Sequence, residues 1–280
     1  MKKSVCVSVF PNELPLSEVF SIAGKCGLDG VELDYGKGCR LTPEMTDGEI
    51  EEIKNTAERF GIKIPSVSSG FYWTCSLTSD DPEERKRAEN CVKGQLNAAS
   101  RVGADTILVV PGFTGVDFIE NCPVVEYDKA YERAKDWMSR LECEARKCGV
   151  CIAIENVWNK FLLSPLEMRG IIDEVNSPYI GSYFDVGNVL INSYPEHWIK
   201  ILGSRIKKVH LKDFKRSIGT LDGFVDLLEG DVDYKAVMEA FRSVGYNGFV
   251  TAEFGPAPDG IDTEVYVKNL TNKIDKIIST

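Results

Sequence analysis

One arrangement of hydrophobic and polar positions recurs along the chain: an amphipathic segment, a glycine, one or two further residues and then a β-branched run. It appears as KCGLDGVELD, RFGIKIPSV, RVGADTILVV, KCGVCIAIE and SVGYNGFVTAE. Glycine adopts the left-handed backbone conformation that ends many helices, because it has no Cβ to clash. Each unit therefore predicts the end of a helix, a short loop and the start of a strand.

Helix starts are also visible in the sequence. Thr46 and Glu49 have the spacing of a capping box, in which each side chain bonds the other residue's backbone amide. Ser164 comes directly before Pro165, and Asp80 and Asp81 come before Pro82. A polar residue followed by proline is typical of the first turn of a helix.

These signals divide the chain into eight strands, nearly all separated by helical patterns. The predicted strands are Ser4–Phe10, Gly30–Asp34, Lys63–Ser68, Thr106–Val110, Cys151–Glu155, Ile180–Asp185, Ile206–Lys212 and Phe249–Phe254. Alternation of this kind predicts parallel strands, closed into an α/β fold of the single (β/α)8 TIM-barrel type. An open doubly wound sheet would favour a glycine-rich turn after the first strand, and Phe10-Pro11-Asn12-Glu13 is not one. No linker interrupts the chain, so we expect one domain over residues 1–280.

Four strands end on groups that can bind a metal ion. Glu155, Asp185, His210 and Glu253 lie at the carboxyl ends of predicted strands five, six, seven and eight. A barrel brings these ends to one face, where functional groups of such folds lie. His210 is one of only two histidines in the chain, which makes its place at a strand end more informative.

Strand alternation points three of these side chains, those of Glu155, His210 and Glu253, into the barrel. In CIAIE, Glu155 shares its face with Ala153, while Ile152 and Ile154 face the opposite way, toward the helices. Lys208 has the same parity as His210, and the sequence offers no reason for a lysine beneath the site.

Three carboxylates and one imidazole form a hard, oxygen-rich set of ligands. A single glutamate at a strand end is commonly a solvated loop residue, but four such groups on consecutive strands predict one divalent metal ion. Mn²⁺ and Mg²⁺ suit this set, and Co²⁺ or Zn²⁺ can also bind it.

Composition and charge restrict the kind of partner. A net charge of −10 and a pI near 4.9 argue against binding a nucleic-acid backbone, which requires a basic face. No run of about 18 apolar residues is present, so we expect no membrane span. The start MKKSVCVSVF is predicted to be a strand and not a signal peptide, and nine scattered cysteines favour a reducing, cytoplasmic location. The expected partner is a small molecule, and a homo-oligomer is compatible with the sequence.

The segments IAIEN, YFDVGN, VHLKD and TAEF resemble motifs of the xylose-isomerase-like TIM-barrel superfamily, and the similarity runs from Ser4 to about Phe254. Within it, the chain is most similar to ketose and ketose-phosphate 3-epimerases, such as the L-ribulose-5-phosphate (L-xylulose-5-phosphate) and D-tagatose 3-epimerase groups. The resemblance implies that the four strand-end residues bind one divalent ion, commonly manganese. It also implies that Glu155 and Glu253 are the catalytic acid/base pair.

Two positions depart from the free-ketose epimerases. Those enzymes carry a histidine three residues after the metal-binding aspartate, where this chain has Asn188. They carry a glutamate six residues after the first glutamate, where this chain has Phe161. Their arginine after the metal-binding histidine is matched by Arg216. The departures favour a phosphorylated or otherwise different sugar, with Asn188 and Arg216 among its contacts.

Loop residues supply further candidates for substrate binding. Lys212, Lys215 and Arg216 follow strand seven, in a region where barrels often bind phosphate, although a solvated basic loop would look the same. Trp73 and Trp158 follow strands three and five and are expected to wall off a sugar from water.

Taken together, the residues predict a metal-dependent sugar or sugar-phosphate isomerase that epimerises a ketose at C3 through an enediolate. An aldose–ketose isomerase or a cyclic-ketone dehydratase could use the same site, and the sequence does not separate these reactions. An abasic-site endonuclease would need more histidines and a basic face. A non-catalytic sugar-binding protein would not require both Glu155 and Glu253.

Overall fold

A computed structural model describes residues 1–280 and confirms the predicted (β/α)8 barrel. Eight parallel strands close in the order β1-β10-β7-β6-β5-β4-β3-β2, and a separate two-stranded ribbon pairs β8 with β9. The barrel strands are β1 (Lys2–Cys6), β2 (Gly30–Asp34), β3 (Val67–Ser68), β4 (Thr106–Val109), β5 (Cys151–Glu155), β6 (Ile180–Asp185), β7 (Ile206–Leu211) and β10 (Phe249–Ala252). The ribbon strands are β8 (Asp213–Phe214) and β9 (Phe224–Val225).

Eight helices surround the barrel. They are α1 (Leu16–Cys26), α2 (Asp47–Arg59), α3 (Pro82–Val102), α4 (Tyr127–Cys148), α5 (Pro165–Val175), α6 (Pro195–Leu202), α7 (Tyr234–Ser243) and α8 (Thr263–Ser279). None of them is both long and apolar enough to cross a lipid bilayer.

The predicted helix boundaries are confirmed. Thr46 and Glu49 form the capping box of α2, Asp81 caps α3, and Ser164 caps α5 with Pro165 in its first turn. All five glycines of the repeated pattern have positive φ angles, from 67° at Gly149 to 86° at Gly27. The backbone therefore uses glycine where the pattern predicted a helix to end.

Several predicted strand ends were wrong by a few residues. The first strand does not continue to Phe10, because Val7–Val9 form a 3-10 turn closed by the Phe10 amide on the Val7 carbonyl. The third strand is reduced to Val67–Ser68, with Lys63 forming only an isolated bridge to Gly30. Pro65 lies between them and has no amide hydrogen to donate to a neighbouring strand.

The strands before the functional loops also end early. β4 stops before Pro111, and β10 stops at Ala252, one residue before Glu253. Most of the apolar core lies between the strands and the helices, whereas the inside of the barrel holds a small cluster of Leu108, Ala153 and Tyr183. Apart from this small cluster, polar side chains can occupy the inside of the barrel near the carboxyl ends of the strands.

Lys208, which the sequence left unexplained, points into this interior. Its ammonium lies 2.5 Å from Oδ1 of Asp105, and its side chain is only 8% exposed. Asp105 directly precedes β4, so the pair spans the amino-terminal end of the barrel, away from the strand ends that carry the predicted ligands. Lys208 thus belongs to the floor of the barrel.

Candidate functional site

The four predicted ligands converge at the carboxyl ends of their strands. Nδ1 of His210 lies 3.3 Å from a carboxylate oxygen of Glu155 and 2.7 Å from one of Glu253. One ligand atom from each of these residues and from Asp185 falls within 4.8 Å of the others. Glu155, Asp185 and His210 are buried, and the side chain of Glu253 is 35% exposed. The site therefore opens to solvent on the β10 side.

The oxygens of this cluster suit a cation. Oδ2 of Asp185 and Oε2 of Glu253 are buried acceptors without an aligned hydrogen bond. Lys212 Nζ lies 3.2 Å from the first and 2.8 Å from the second, so its single ammonium charge compensates part of the charge of the two carboxylates. Buried carboxylate oxygens left in this state beside an imidazole nitrogen have the composition of a divalent metal site.

Electrostatics separate the two glutamates. Burial raises the pKa of Glu155 to about 7, and the charge of Glu253 adds to this effect. Burial also acts to raise the pKa of Glu253, but the charges of Lys212 and His210 outweigh it and hold that pKa well below its usual value. Glu155 and Glu253 thus have different proton affinities, although both lie against Nδ1 of His210.

A pair of asparagines holds Asp185 in place. Asn156 accepts from the Asp185 amide at 3.0 Å and donates to the Asp185 carbonyl at 2.8 Å. Oδ1 of Asp185 accepts from the Asn188 amide at 2.7 Å, and the Asn188 side chain donates to the Asn156 carbonyl at 3.0 Å. Asn188 was predicted to contact substrate through its side chain. In the structure that side chain links the β5–α5 and β6–α6 loops.

Glu32 on β2 is part of the site and was missed by the sequence analysis. It is fully buried and receives hydrogen bonds from the hydroxyls of Ser66 and Tyr183. Its other oxygen lies 3.0 Å from Nε2 of His210 and 3.3 Å from the Cys6 sulfur. Burial acts to raise the pKa of Glu32, but His210 and the hydroxyl donors lower it below its usual value.

The sequence did contain a signal for Glu32. In GVELD, Glu32 alternates with Val31 and Leu33 in the same way that Glu155 alternates with isoleucines in CIAIE. Val31 and Leu33 are fully buried on the helix side, so Glu32 must face the barrel interior.

A cavity at the mouth of the barrel lies against this cluster. Glu155, His210 and Glu253 line one side of it, and Trp73, a predicted substrate contact, also lines it. The remaining lining residues come mainly from the ends of β1 to β4 and their loops: Cys6, Val7, Ser8, Glu32, Asp34, Ser68, Ser69, Gly70, Leu108 and Val110.

The other predicted substrate contacts lie elsewhere. Trp158 and Asn188 line a neighbouring cavity between the β5–α5 and β6–α6 loops, and Trp158 donates to the Asn188 carbonyl at 2.9 Å. Arg216 is exposed; its guanidinium donates to the Leu190 carbonyl at 3.1 Å and lies over the ring of Tyr194. Of the basic residues after β7, only Lys212 reaches the cluster of ligands.

Comparisons with known proteins agree with this architecture. The family described as xylose isomerase-like TIM barrel matches residues 20–268. Fructoselysine 3-epimerase of Escherichia coli is 22% identical over 254 residues, covering 86% of each chain. A structure of D-psicose 3-epimerase with D-tagatose from Clostridium cellulolyticum has a TM-score of 0.82 at 19% identity, covering 99% of this chain and 98% of that one. A structure of the IolI protein with a bound zinc atom has a TM-score of 0.80 at 16% identity, covering 100% and 98%.

Proposed function

Because this chain belongs to the xylose isomerase-like TIM-barrel family, we propose that it is a metal-dependent sugar isomerase that epimerises a ketose at C3. The position of Glu155 and Glu253 carries this proposal. Glu155 ends β5 and Glu253 directly follows β10, so the two lie at the ends of an arc of strands whose middle holds Asp185 and His210. The fructoselysine and D-psicose 3-epimerases among the similar proteins support the same reaction.

The ligand cluster would hold one divalent ion through Glu155, Asp185, His210 and Glu253. Such an ion would polarise the carbonyl of a bound ketose and so make the neighbouring C–H more acidic. We propose Mn²⁺ as the ion, because three of the four ligands are hard carboxylates, and Mg²⁺, Co²⁺ and Zn²⁺ fit the same donors. The zinc atom in the IolI structure supports a divalent ion in this fold.

The two glutamates supply the proton transfers. Epimerisation at one carbon removes a proton from one face of the sugar and returns a proton to the other face. Two carboxylates at opposite ends of the arc can reach opposite faces of a substrate that lies between them. In this mechanism one glutamate takes the C3 proton to give an enediolate, the other protonates it from the far side, and the roles reverse in the reverse reaction.

The surrounding residues have supporting tasks in the proposal. Trp73 lines the cavity and would exclude water from the reacting carbon. Lys212 reaches the two ligands Asp185 and Glu253 and would contact a sugar oxygen near them. Roles for Asn188, Trp158 and Arg216 in binding substrate stay predictions, and their contacts in this structure hold the loops around the site.

Replacing either glutamate by glutamine tests the acid/base pair. Glu155→Gln and Glu253→Gln each keep an oxygen near the metal position but remove the proton acceptor, so we expect turnover to fall by about 10²–10⁴-fold. Metal content should suffer less than in His210→Ala. Glu120→Gln, on the exposed β4–α4 loop, is the matched control and should leave turnover unchanged.

The position of a deuterium label identifies the reaction. In D₂O, a 3-epimerase leaves deuterium at C3 of its product, whereas an aldose–ketose isomerase leaves it at C1 or C2. The label is read by nuclear magnetic resonance after incubating the metal-loaded protein with pentulose and hexulose sugars. Unchanged turnover in both glutamine variants would refute the assignment of the acid/base pair.

A further inference from the structure

The departures at Asn188 and Phe161 favoured a phosphorylated or otherwise different sugar, but the lining of the barrel cavity points the other way. We infer that the substrate is an unphosphorylated ketose and that Asp34 selects for it. In this inference Asp34 accepts hydrogen bonds from hydroxyl groups at the end of the sugar farthest from the metal ligands, and its charge repels a phosphate there. The inference rests on the proposed function and adds to it the class of substrate and a residue that determines specificity.

Asp34 lies across the barrel mouth from the ligand cluster. It ends β2, which stands opposite β6 in the closed ring, and β6 carries Asp185. The same cavity is lined by Glu155, His210 and Glu253 at one side and by Asp34 at the other. A sugar whose reacting carbons lie at the ligand cluster therefore extends its remaining carbons toward Asp34.

The Asp34 carboxylate has no cationic partner. Oδ1 accepts from the Arg40 amide at 2.8 Å, but the Arg40 guanidinium turns away and donates to the carbonyls of Pro11 and Leu14 at 2.7 and 2.6 Å. The Cys39 thiol also lies beside Asp34: burial, then the charge of Asp34 and a hydrogen bond to its carboxylate, raise the pKa of that thiol to about 12. The half-buried Asp34 carboxylate is therefore met by one backbone amide and one thiol but by no lysine or arginine side chain, and its remaining lone pairs can accept from a ligand hydroxyl.

The serine side chains that line the cavity near Asp34 also present hydrogen-bond acceptors and not donors. The hydroxyls of Ser8, Ser68 and Ser69 line the cavity, and each donates its hydrogen to a backbone carbonyl, of Phe254, Leu33 and Tyr35 respectively. A sugar hydroxyl can donate to the free lone pairs of these groups and of Asp34. A phosphate dianion has only acceptor oxygens and would meet acceptors here.

Cations that could bind a phosphate are absent from this cavity. Its lining includes the four carboxylates Glu32, Asp34, Glu155 and Glu253, but no lysine or arginine. Lys212 is held between Asp185 and Glu253, at the ligand side. Phosphate recognition in proteins relies on arginine, lysine or a comparable group of donors, so this wall is unsuited to it.

Steady-state kinetics with a matched pair of sugars tests the inference. The metal-loaded protein is assayed with a free hexulose or pentulose and with the same sugar carrying a terminal phosphate. We expect kcat/KM to be about 100-fold higher for the free sugar, because bringing like charges together is costly. In Asp34→Asn the value for the free sugar should fall about tenfold, mainly through KM, since the asparagine oxygen still accepts but no longer carries a negative charge. For the phosphorylated sugar it should rise.

A fall for the free sugar together with a rise for the phosphorylated sugar distinguishes a specific role of Asp34 from a general effect of lost charge or lost stability. Asp259→Asn removes one charge from an exposed position in the β10–α8 loop and should alter neither value. Asp34→Ser provides a second variant that also lacks the charge, and thermal melting confirms that each variant is folded. A wild-type preference for the phosphorylated sugar, or an equal change in both values in Asp34→Asn, would overturn the inference.

Failure of the proposed function gives a different result. In that case the wild-type protein epimerises neither sugar. Calorimetric binding of the two sugars to wild type and Asp34→Asn then decides the role of Asp34 independently, with the same opposite response expected in Kd.

Discussion

At the scale of single residues, His210 is held from both sides. Nε2 faces Glu32, and Nδ1 faces Glu155 and Glu253. A carboxylate behind a ligating imidazole fixes the orientation of the ring and makes its other nitrogen a better ligand. Glu32 itself is fixed by Ser66 and Tyr183, so the imidazole has little freedom to rotate away from the cluster.

Substitution of Glu32 should therefore weaken metal binding without removing a ligand. For Glu32→Gln we expect the affinity for Mn²⁺ to fall by about 10- to 100-fold. Titration calorimetry of the metal-free protein measures this directly. Tyr183→Phe removes one donor to Glu32 but leaves the contact between Glu32 and His210, so its effect should be smaller. An unchanged affinity in Glu32→Gln would show that the ring is held by other contacts.

At the scale of elements, local sequence predicted helix boundaries better than strand boundaries. A helix end depends on a few adjacent residues, such as Ser164 and Glu167 or a glycine in the left-handed conformation. A strand end depends on whether the neighbouring strand continues to pair with it. Pro65 shortens β3 in this way, and the segment after Cys6 turns into a 3-10 helix although its composition favours a strand.

The cap of α5 gives a measurable test at this scale. The Ser164 hydroxyl accepts from the Glu167 amide, and the Glu167 side chain accepts from the Ser164 amide at 3.1 Å. Ser164→Ala should lower the free energy of unfolding by about 1 kcal/mol. Ser164→Thr keeps the acceptor and is the control. Chemical denaturation gives both values, and equal stability of wild type and Ser164→Ala would contradict this role for the cap.

At the scale of the whole molecule, repetition in the sequence predicted the barrel, and strand parity predicted that Glu155, His210 and Glu253 face its interior. Side-chain contacts across the inside of the barrel could not be predicted from repetition or strand parity. Lys208 and Asp105 are 103 positions apart, and their strands are not neighbours in the ring. Glu32 and His210 are 178 positions apart and meet only because the barrel closes between β1 and β10. Such pairs depend on the geometry of closure, which no local pattern records.

Because the four predicted ligands come from the ends of four neighbouring strands, an ion bound to them should stabilise the whole barrel. At a free metal concentration of 100 times Kd, the gain in the free energy of unfolding is about 2.7 kcal/mol. Thermal melting with and without Mn²⁺ should show a higher Tm for the loaded wild type and little change for His210→Ala. Equal shifts in both proteins would place the stabilising ion at another site.

The ammonium of Lys212 gives the carboxylates a counter-ion belonging to the chain itself. It lies 3.2 Å from Asp185 and 2.8 Å from Glu253, so these acids can be buried during folding before any metal arrives. A divalent ion bound by the same oxygens would compete with this resident charge. Metal loading would then be an exchange of one cation for another, and the electrostatic cost of moving Lys212 would reduce the net affinity. The ammonium would stay tethered to the end of β7, within reach of a sugar oxygen.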